Sequence, residues 1–274
     1  IDEDRSVEQQ ILNLTQQEKQ MLFEAVEENY KPENRFYRYD FLFLNCSSII
    51  RDKVFETLES EHILDSTNYD QSFRDLLQPY IPNSWLSLGI NLLLGHKADK
   101  QATNWERMFL PDNMRDQFGL ARVQEQTSLA PEIKTLYLSS KLQTETPVKN
   151  GIRLTTTVFF LLLVFIGIIT RHKYNDKKWN KPLDSLLFFI GGIIGVLLGF
   201  MWLFSEHEVI HQNINILWAF PLHLILAIFI WFPSLKRLNA YYSKFILFLS
   251  ALFLLLTVLG FQEVPTSLLL FAGV

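Results

Sequence analysis

The chain has 274 residues, a formal net charge of −4, 49% hydrophobic residues and a single cysteine. Neither half of the chain carries a basic patch with interleaved aromatic residues, so nucleic acid is excluded as an expected partner. One cysteine also excludes a disulfide within the chain.

Charge divides the chain near residue 150. Residues 1–150 carry 16 Lys and Arg against 24 Asp and Glu, a formal charge of −8, whereas residues 151–274 carry 9 against 5, or +4. In the second part the charges stand almost wholly between apolar runs. We therefore predict a soluble domain over 1–150 and a membrane domain over 151–274. Because the chain opens at Ile1 without a signal peptide, we also expect an upstream segment to precede it.

The first predicted helix begins at Thr15, which forms a capping-box pattern with Glu18. The aromatic run 36–44 resembles a strand, and a helix is predicted to follow over 47–58. Residues 72–95 favour helix interrupted by prolines, and the polar residues 139–151 favour a linker. Strand content is low, so the domain is predicted to be α+β but mostly helical.

Cys46 stands at the junction between the aromatic run and the helix that follows it. A thiol at a helix N-terminus lies at the positive end of the backbone dipole, which favours the nucleophilic thiolate. This position makes Cys46 the candidate nucleophile. The alternative is that Cys46 is a small buried apolar residue.

The membrane half contains apolar runs of the length that crosses a bilayer, together with one shorter run at its end. Four to five spans are predicted, at about 154–170, 185–204, 214–233 and 245–261, with a partial span at 265–274.

The loops between these runs indicate the orientation. Residues 171–183 contain five Lys and Arg and residues 234–244 contain three, whereas 205–213 and 262–266 contain none. Basic loops remain in the cytoplasm. Residues 1–150 are therefore expected outside the inner membrane, in the periplasm of a bacterium with two membranes.

Several sequence blocks together resemble the Lnb family of bacterial lipoprotein N-acyltransferases. The block around the cysteine, residues 39–52 (YDFLFLNCSSIIRD), carries most of this resemblance. The other similar blocks are residues 5–15 (RSVEQQILNLT), 85–95 (WLSLGINLLLG), Asp99, 108–112 (MFLPD), 205–207 (SEH) and 213–221 (NINILWAFP).

The resemblance implies a permuted papain-like thiol-hydrolase domain in which the catalytic histidine precedes the cysteine, here upstream of Ile1. It implies that Cys46 takes an acyl chain from a membrane phospholipid as a thioester. The chain is then passed to the α-amino group of a diacylglyceryl-cysteine lipoprotein. No cofactor is expected.

Further site residues are proposed around the thiol and at the membrane surface. Asn45, Asp40, Tyr39 and Ser47 are candidates to support or orient the nucleophile, although Asn45 is equally well explained as a helix cap. His207, Asn213, Asn215 and Trp218 are candidates to bind a lipid or its head group. The spacing of His207 and His211 would suit zinc on a helix, but no third ligand is evident and no metal is predicted. Asp99 has no assigned role.

Two other functions remain open on the sequence alone. A membrane-anchored cysteine peptidase or amidase of the cell envelope would use the same nucleophile. A non-catalytic membrane binding protein would need Cys46 only for packing. The acyltransferase differs from the peptidase in requiring its membrane spans for activity.

Overall fold

The computed structural model describes residues 4–58, 63–81, 84–123, 127–139, 151–175 and 180–273. The chain divides into two compact units. The first unit comprises Ile1–Leu76 and Gln101–Pro147, and the second comprises Leu77–Lys100 and Val148–Val274. The second unit thus includes a segment, 77–100, that precedes residue 150. The predicted functional boundary at that residue stays a prediction.

The described part of the first unit is mostly helical and carries two small antiparallel ribbons. Strand β1 (Val7–Gln10) pairs with β4 (Ile133–Tyr137), and β2 (Arg122–Val123) pairs with β3 (Thr127–Ser128). The helices are α1 (Gln16–Tyr30), α2 (Cys46–Glu56), α3 (Phe73–Leu77), α5 (Asn104–Arg107) and α6 (Pro111–Leu120). The α+β class is present in this form, and the papain-like arrangement stays a prediction.

Helix α1 begins as predicted. The Thr15 hydroxyl accepts a hydrogen bond from the Glu18 backbone N–H, and the Glu18 carboxylate accepts one from the Thr15 N–H. This reciprocal cap satisfies two of the backbone donors that a helix start leaves free.

The core of the first unit forms where α2 packs against α5 and α6. Buried residues of α2 recur at helical spacing and include Val54 and Phe55. The Phe55 ring meets Trp105 at 5.1 Å and Phe118 at 5.7 Å between centroids, both edge to face. Arg51 reinforces the contact, because its guanidinium lies 4.3 Å from the Trp105 ring and donates to the Trp105 carbonyl at 2.9 Å. This packing fixes the helix that begins at Cys46.

The aromatic run 36–44 is not a strand, contrary to the sequence prediction. The Asp40 carboxylate accepts from the Leu42 and Phe43 backbone N–H groups at 3.0 and 3.1 Å. The backbones of Asp40 and Leu44 also exchange two hydrogen bonds. An aspartate that bonds the backbone two residues ahead mimics a turn, and this local bonding overrides the strand preference of the aromatic residues.

In the second unit, three helices of the described residues are long and apolar enough to cross a membrane. They contain or overlap the predicted spans 154–170, 185–204 and 245–261. The helices of this unit are α4 (Ser84–Leu93), α7 (Gly151–Asn175), α8 (Lys181–Phe204), α9 (Asn215–Trp218), α10 (His223–Phe229), α11 (Lys236–Val258) and α12 (Thr266–Ala272).

The predicted third span, 214–233, is not one continuous helix. It divides into α9 and α10, and Pro221 lies in the break between them. Proline lacks the N–H that a helix interior needs, and its ring collides with the preceding turn. The break packs against α8 at Gly195, where a Cβ atom would overlap the Ala219 carbonyl oxygen. The partial span at 265–274 corresponds to the short helix α12.

Candidate active site

Cys46 is the first residue of α2, and its side chain is exposed. Among the described residues, no acceptor takes the Cys46 backbone N–H. The next two N–H groups, of Ser47 and Ser48, bond the Asn45 side chain instead. A helix start leaves such donors pointing outward. The thiol is therefore accessible and stands beside an available backbone N–H.

Asn45 is the cap of α2 and is buried, with 5% of its surface exposed. Its Oδ1 accepts from Ser47 and Ser48, and its Nδ2 donates to the carbonyls of Phe41 and Phe109, both at 2.9 Å. Both amide hydrogens and the amide oxygen are thus engaged in holding the turn. Asn45 positions the thiol through the backbone, as the capping interpretation predicts.

Asp40 and Tyr39 lie in the turn that precedes Cys46. The Asp40 carboxylate stabilises that turn, as described above. Desolvation of its hydroxyl raises the pKa of Tyr39 above its ordinary value, and negative charge at Cys46 raises it further. The phenol of Tyr39 is therefore an electrostatic neighbour of the sulfur. Ser47 is buried, and its backbone N–H serves the cap.

Several aromatic and aliphatic residues close to Cys46 in the sequence have exposed side chains. Tyr39 is 49% exposed, Phe41 43% and Phe43 39%, and Ile50 of the first turns of α2 is 51% exposed. Such a concentration of exposed apolar surface is unusual in a water-soluble domain and commonly marks a binding surface.

The described residues of the first unit include no histidine that could act as a base for the thiol. His62 is the one histidine in the sequence of the first unit, and it lies outside the described residues. The expected catalytic histidine upstream of Ile1 stays a prediction.

The two histidines considered for zinc do not share an α-helix. His207 precedes and His211 follows the short 3₁₀ helix Glu208–Ile210, and His211 Nε2 donates to the Ser205 carbonyl at 3.0 Å. No group of three His, Cys, Asp or Glu in the described part of the chain is arranged to hold a metal ion.

The membrane-surface candidates lie in the second unit, and two of them are buried. Asn213 is 2% exposed and donates to the carbonyls of Leu92 and Leu93 at 2.8 and 3.0 Å. Asn215 is fully buried and donates to the Leu92 carbonyl, while its Oδ1 accepts from the Trp218 indole. Both side chains therefore donate to backbone carbonyls of the protein. The prediction that these residues and His207 bind a lipid head group stays a prediction.

Sequence reasoning did not single out Gln262, which completes the same cluster. It is 1% exposed, donates to the Leu94 carbonyl at 3.1 Å and accepts from the Ile214 N–H at 2.9 Å. A glutamine beside an apolar run carries no distinctive signal on its own. The uncharged run 81–95 did carry a signal, because its composition resembles that of a membrane segment more than that of a soluble domain.

One unit of the chain contains helices that can span a membrane, and the other carries an exposed thiol, which defines a membrane protein with a thiol-bearing domain. Residues 1–76 match the family model of the Lnb N-terminal periplasmic domain, and residues 150–274 match that of the Lnb transmembrane domain. The chain belongs to the Lnb family. It is an inner-membrane protein with a periplasmic segment, and the family indicates a membrane lipoprotein N-acyltransferase-like role. No curated protein and no solved structure matches the chain.

Proposed function

We propose that this protein is a lipoprotein N-acyltransferase in which Cys46 carries the acyl chain. The observation that supports this most strongly is the exposed sulfur at the first residue of α2, inside the segment that matches the periplasmic domain. An exposed cysteine at a helix start suits nucleophilic attack better than packing.

The first half of the reaction forms an acyl-enzyme. The Cys46 thiolate attacks an ester carbonyl of a membrane phospholipid, and the C–S bond forms as the carbonyl electrons move to oxygen. When the tetrahedral intermediate collapses, the ester C–O bond breaks. The leaving alkoxide takes a proton and departs as a lysophospholipid, so that the acyl chain remains on sulfur as a thioester.

The second half transfers the chain to nitrogen. The neutral α-amino group of a diacylglyceryl-cysteine lipoprotein attacks the thioester carbonyl and loses one proton to a base. The C–S bond then breaks, which returns the thiolate and leaves an amide. A thioester serves this purpose because an amine attacks it readily, while exclusion of water slows its hydrolysis.

The surroundings of Cys46 supply two of the features that this chemistry needs. The available backbone N–H of Cys46 is placed to donate to the oxyanion of each tetrahedral intermediate. The exposed side chains Tyr39, Phe41, Phe43 and Ile50 offer an apolar surface for an acyl chain. The hydrogen bonds of Asn45 stabilise the turn beside which the N–H group and the apolar surface lie.

The test replaces Cys46 with Ser or Ala in cells and examines the N-terminus of a lipoprotein by mass spectrometry. We expect the N-linked acyl chain to fall by at least about 100-fold, because the nucleophile is lost. Ser66→Ala, at an exposed residue of the same unit, is the matched control and should leave acylation unchanged. Normal triacylated product in both Cys46 variants would refute the proposal.

A second measurement separates acyl transfer from peptide or amide cleavage. The purified full chain, incubated with phospholipid alone, should gain the mass of one acyl chain on Cys46, and neutral hydroxylamine should remove it. A peptidase or amidase would gain no such mass. Modification of the Cys46→Ala variant to the same extent would place the acyl chain elsewhere.

A further inference from the structure

Helix α4 differs in character from the other short helices that precede residue 150. Residues 81–95, which contain it, include no Asp, Glu, Lys or Arg. The helix itself has ten residues, Ser84–Leu93, about half the length needed to cross a bilayer. It belongs to the same compact unit as the spanning helices. A charge-free short helix in such a unit suits insertion into one leaflet.

Side-chain contacts place α4 alongside membrane-spanning sequence. The Trp85 ring meets Phe159 of α7 at 6.0 Å between centroids, edge to face. Phe159 lies five residues beyond Leu154, where the spanning part of α7 begins. At 1.5 Å per residue this is a depth of about 7–8 Å from the outer end of the span. On the inner side of α4, Leu88 and Leu92 pack in a cluster with Phe253 of α11 and Leu268 of α12.

The last carbonyl groups of α4 have hydrogen-bond donors, which a helix that ends within a membrane needs. The last carbonyls of a helix have no partner inside it, and hydrocarbon supplies none. Here the Leu92 and Leu93 carbonyls accept from Asn213, Leu92 also accepts from Asn215, and Leu94 accepts from Gln262. All three donors are at least nine-tenths buried. The second unit is therefore built to hold a helix end out of water.

The opposite face of α4 is apolar and about half exposed. Trp85 is 50% exposed and Leu86 is 55% exposed, and a Cβ atom at Gly89 would meet nothing within 4 Å. The spanning helix α7, which Trp85 contacts, likewise exposes apolar side chains, and Leu161 is 60% exposed. We propose that α4 is a re-entrant helix in the outer leaflet, and that Trp85, Leu86 and Gly89 contact phospholipid acyl chains.

The placement of α4 in the membrane does not depend on the chemistry of Cys46. It assigns a lipid-binding surface to a segment that lies before residue 150 in the chain. A shortened protein that ended before the first long span would keep α4 but lack the helices on which it packs. Leu88 and Leu92 would then be exposed to water.

Spin labels on single cysteines test the placement. With Cys46→Ser as the background, one cysteine is introduced at Leu86, and the full chain is reconstituted in vesicles of phosphatidylethanolamine and phosphatidylglycerol. Leu161→Cys is the lipid-facing control, and Tyr30→Cys, at a 76% exposed residue of α1, is the water-facing control. Gly89→Cys repeats the measurement at a second position of α4. Collision with oxygen, which concentrates in lipid, is compared with collision with a water-soluble nickel chelate.

We expect the ratio of oxygen to nickel accessibility at Leu86→Cys and Gly89→Cys to equal that at Leu161→Cys within about twofold, and to exceed that at Tyr30→Cys by about fivefold or more. A ratio like that of Tyr30→Cys would show that the face is in water. Low accessibility to both reagents at both positions would show that protein covers it. Either result would overturn the proposal.

Discussion

The side-chain amide of Asn45 donates to the Phe109 carbonyl at 2.9 Å and so joins segments 64 residues apart. The same nitrogen donates to the Phe41 carbonyl, and the amide oxygen caps α2. One buried side chain therefore joins the turn before Cys46 to the segment between α5 and α6. The position of the Cys46 sulfur depends on this link.

Asn45→Asp should destabilise the first unit by roughly 2–4 kcal/mol. The Phe109 carbonyl, in a buried bond, and the Phe41 carbonyl, in a partly buried one, would lose their donor and face a carboxylate. The measurement is thermal unfolding of the full chain in detergent, followed by tryptophan fluorescence. Asn13→Asp is the control, since that amide makes an exposed bond to Thr127, and it should stay within about 0.5 kcal/mol. Equal stability of the two variants would contradict the role given to Asn45.

The charge of Tyr39 should affect the stability of the folded state only at high pH. Its folded-state pKa is raised, so the native state favours the neutral phenol, and stability falls as pH rises past about 10. Tyr39→Phe should lessen the drop in unfolding temperature between pH 9 and pH 11. It should leave the rate at which a small alkylating agent modifies Cys46 within about twofold between pH 6 and 9, where the phenol is uncharged. A much larger rate change in that range would mean that the neutral hydroxyl acts on the sulfur.

Gly195→Ala should disturb the contact between α8 and the break in the third apolar run. Its Cβ atom would overlap the Ala219 carbonyl, a backbone atom that cannot move aside, and such overpacking costs about 1–3 kcal/mol. Gly199→Ala, one turn further along α8, is the matched control, because its Cβ atom would make ordinary contacts at 3.8 and 3.9 Å. Thermal unfolding in detergent should separate the two variants. The same unfolding temperature for both would contradict the close approach.

Gly95→Ala should loosen the segment that follows α4. A Cβ atom there would overlap the His211 carbonyl, whereas one at Gly89 would meet nothing within 4 Å. Trypsin cleavage after Lys97 and Lys100 should therefore become about tenfold faster in Gly95→Ala, because cleavage follows local opening. Gly89→Ala should be cleaved at the rate of the unchanged protein. If Gly95→Ala were equally resistant, the docking of this segment would need another explanation.

Much of the site could be predicted from local sequence. The Thr15 cap, the start of α2 at Cys46 and the capping role of Asn45 follow from residue types within three or four positions of one another. The strand predicted for 36–44 was wrong for a related reason. Aromatic residues favour strands, but Asp40 bonds to its own turn, and that closer interaction prevails.

Hydrophobicity and charge along the chain by themselves determined the membrane location and the orientation, because transfer into hydrocarbon depends on each residue type and adds up within a run. Residue types next to the cysteine, above all the capping Asn45, determined that Cys46 begins a helix. Tertiary structure alone decided that α4 joins the spanning helices, and that Asn213, Asn215 and Gln262 bond its last carbonyls. These partners lie more than a hundred residues from α4 in the chain, and a polar side chain does not specify in advance which distant carbonyl it will meet.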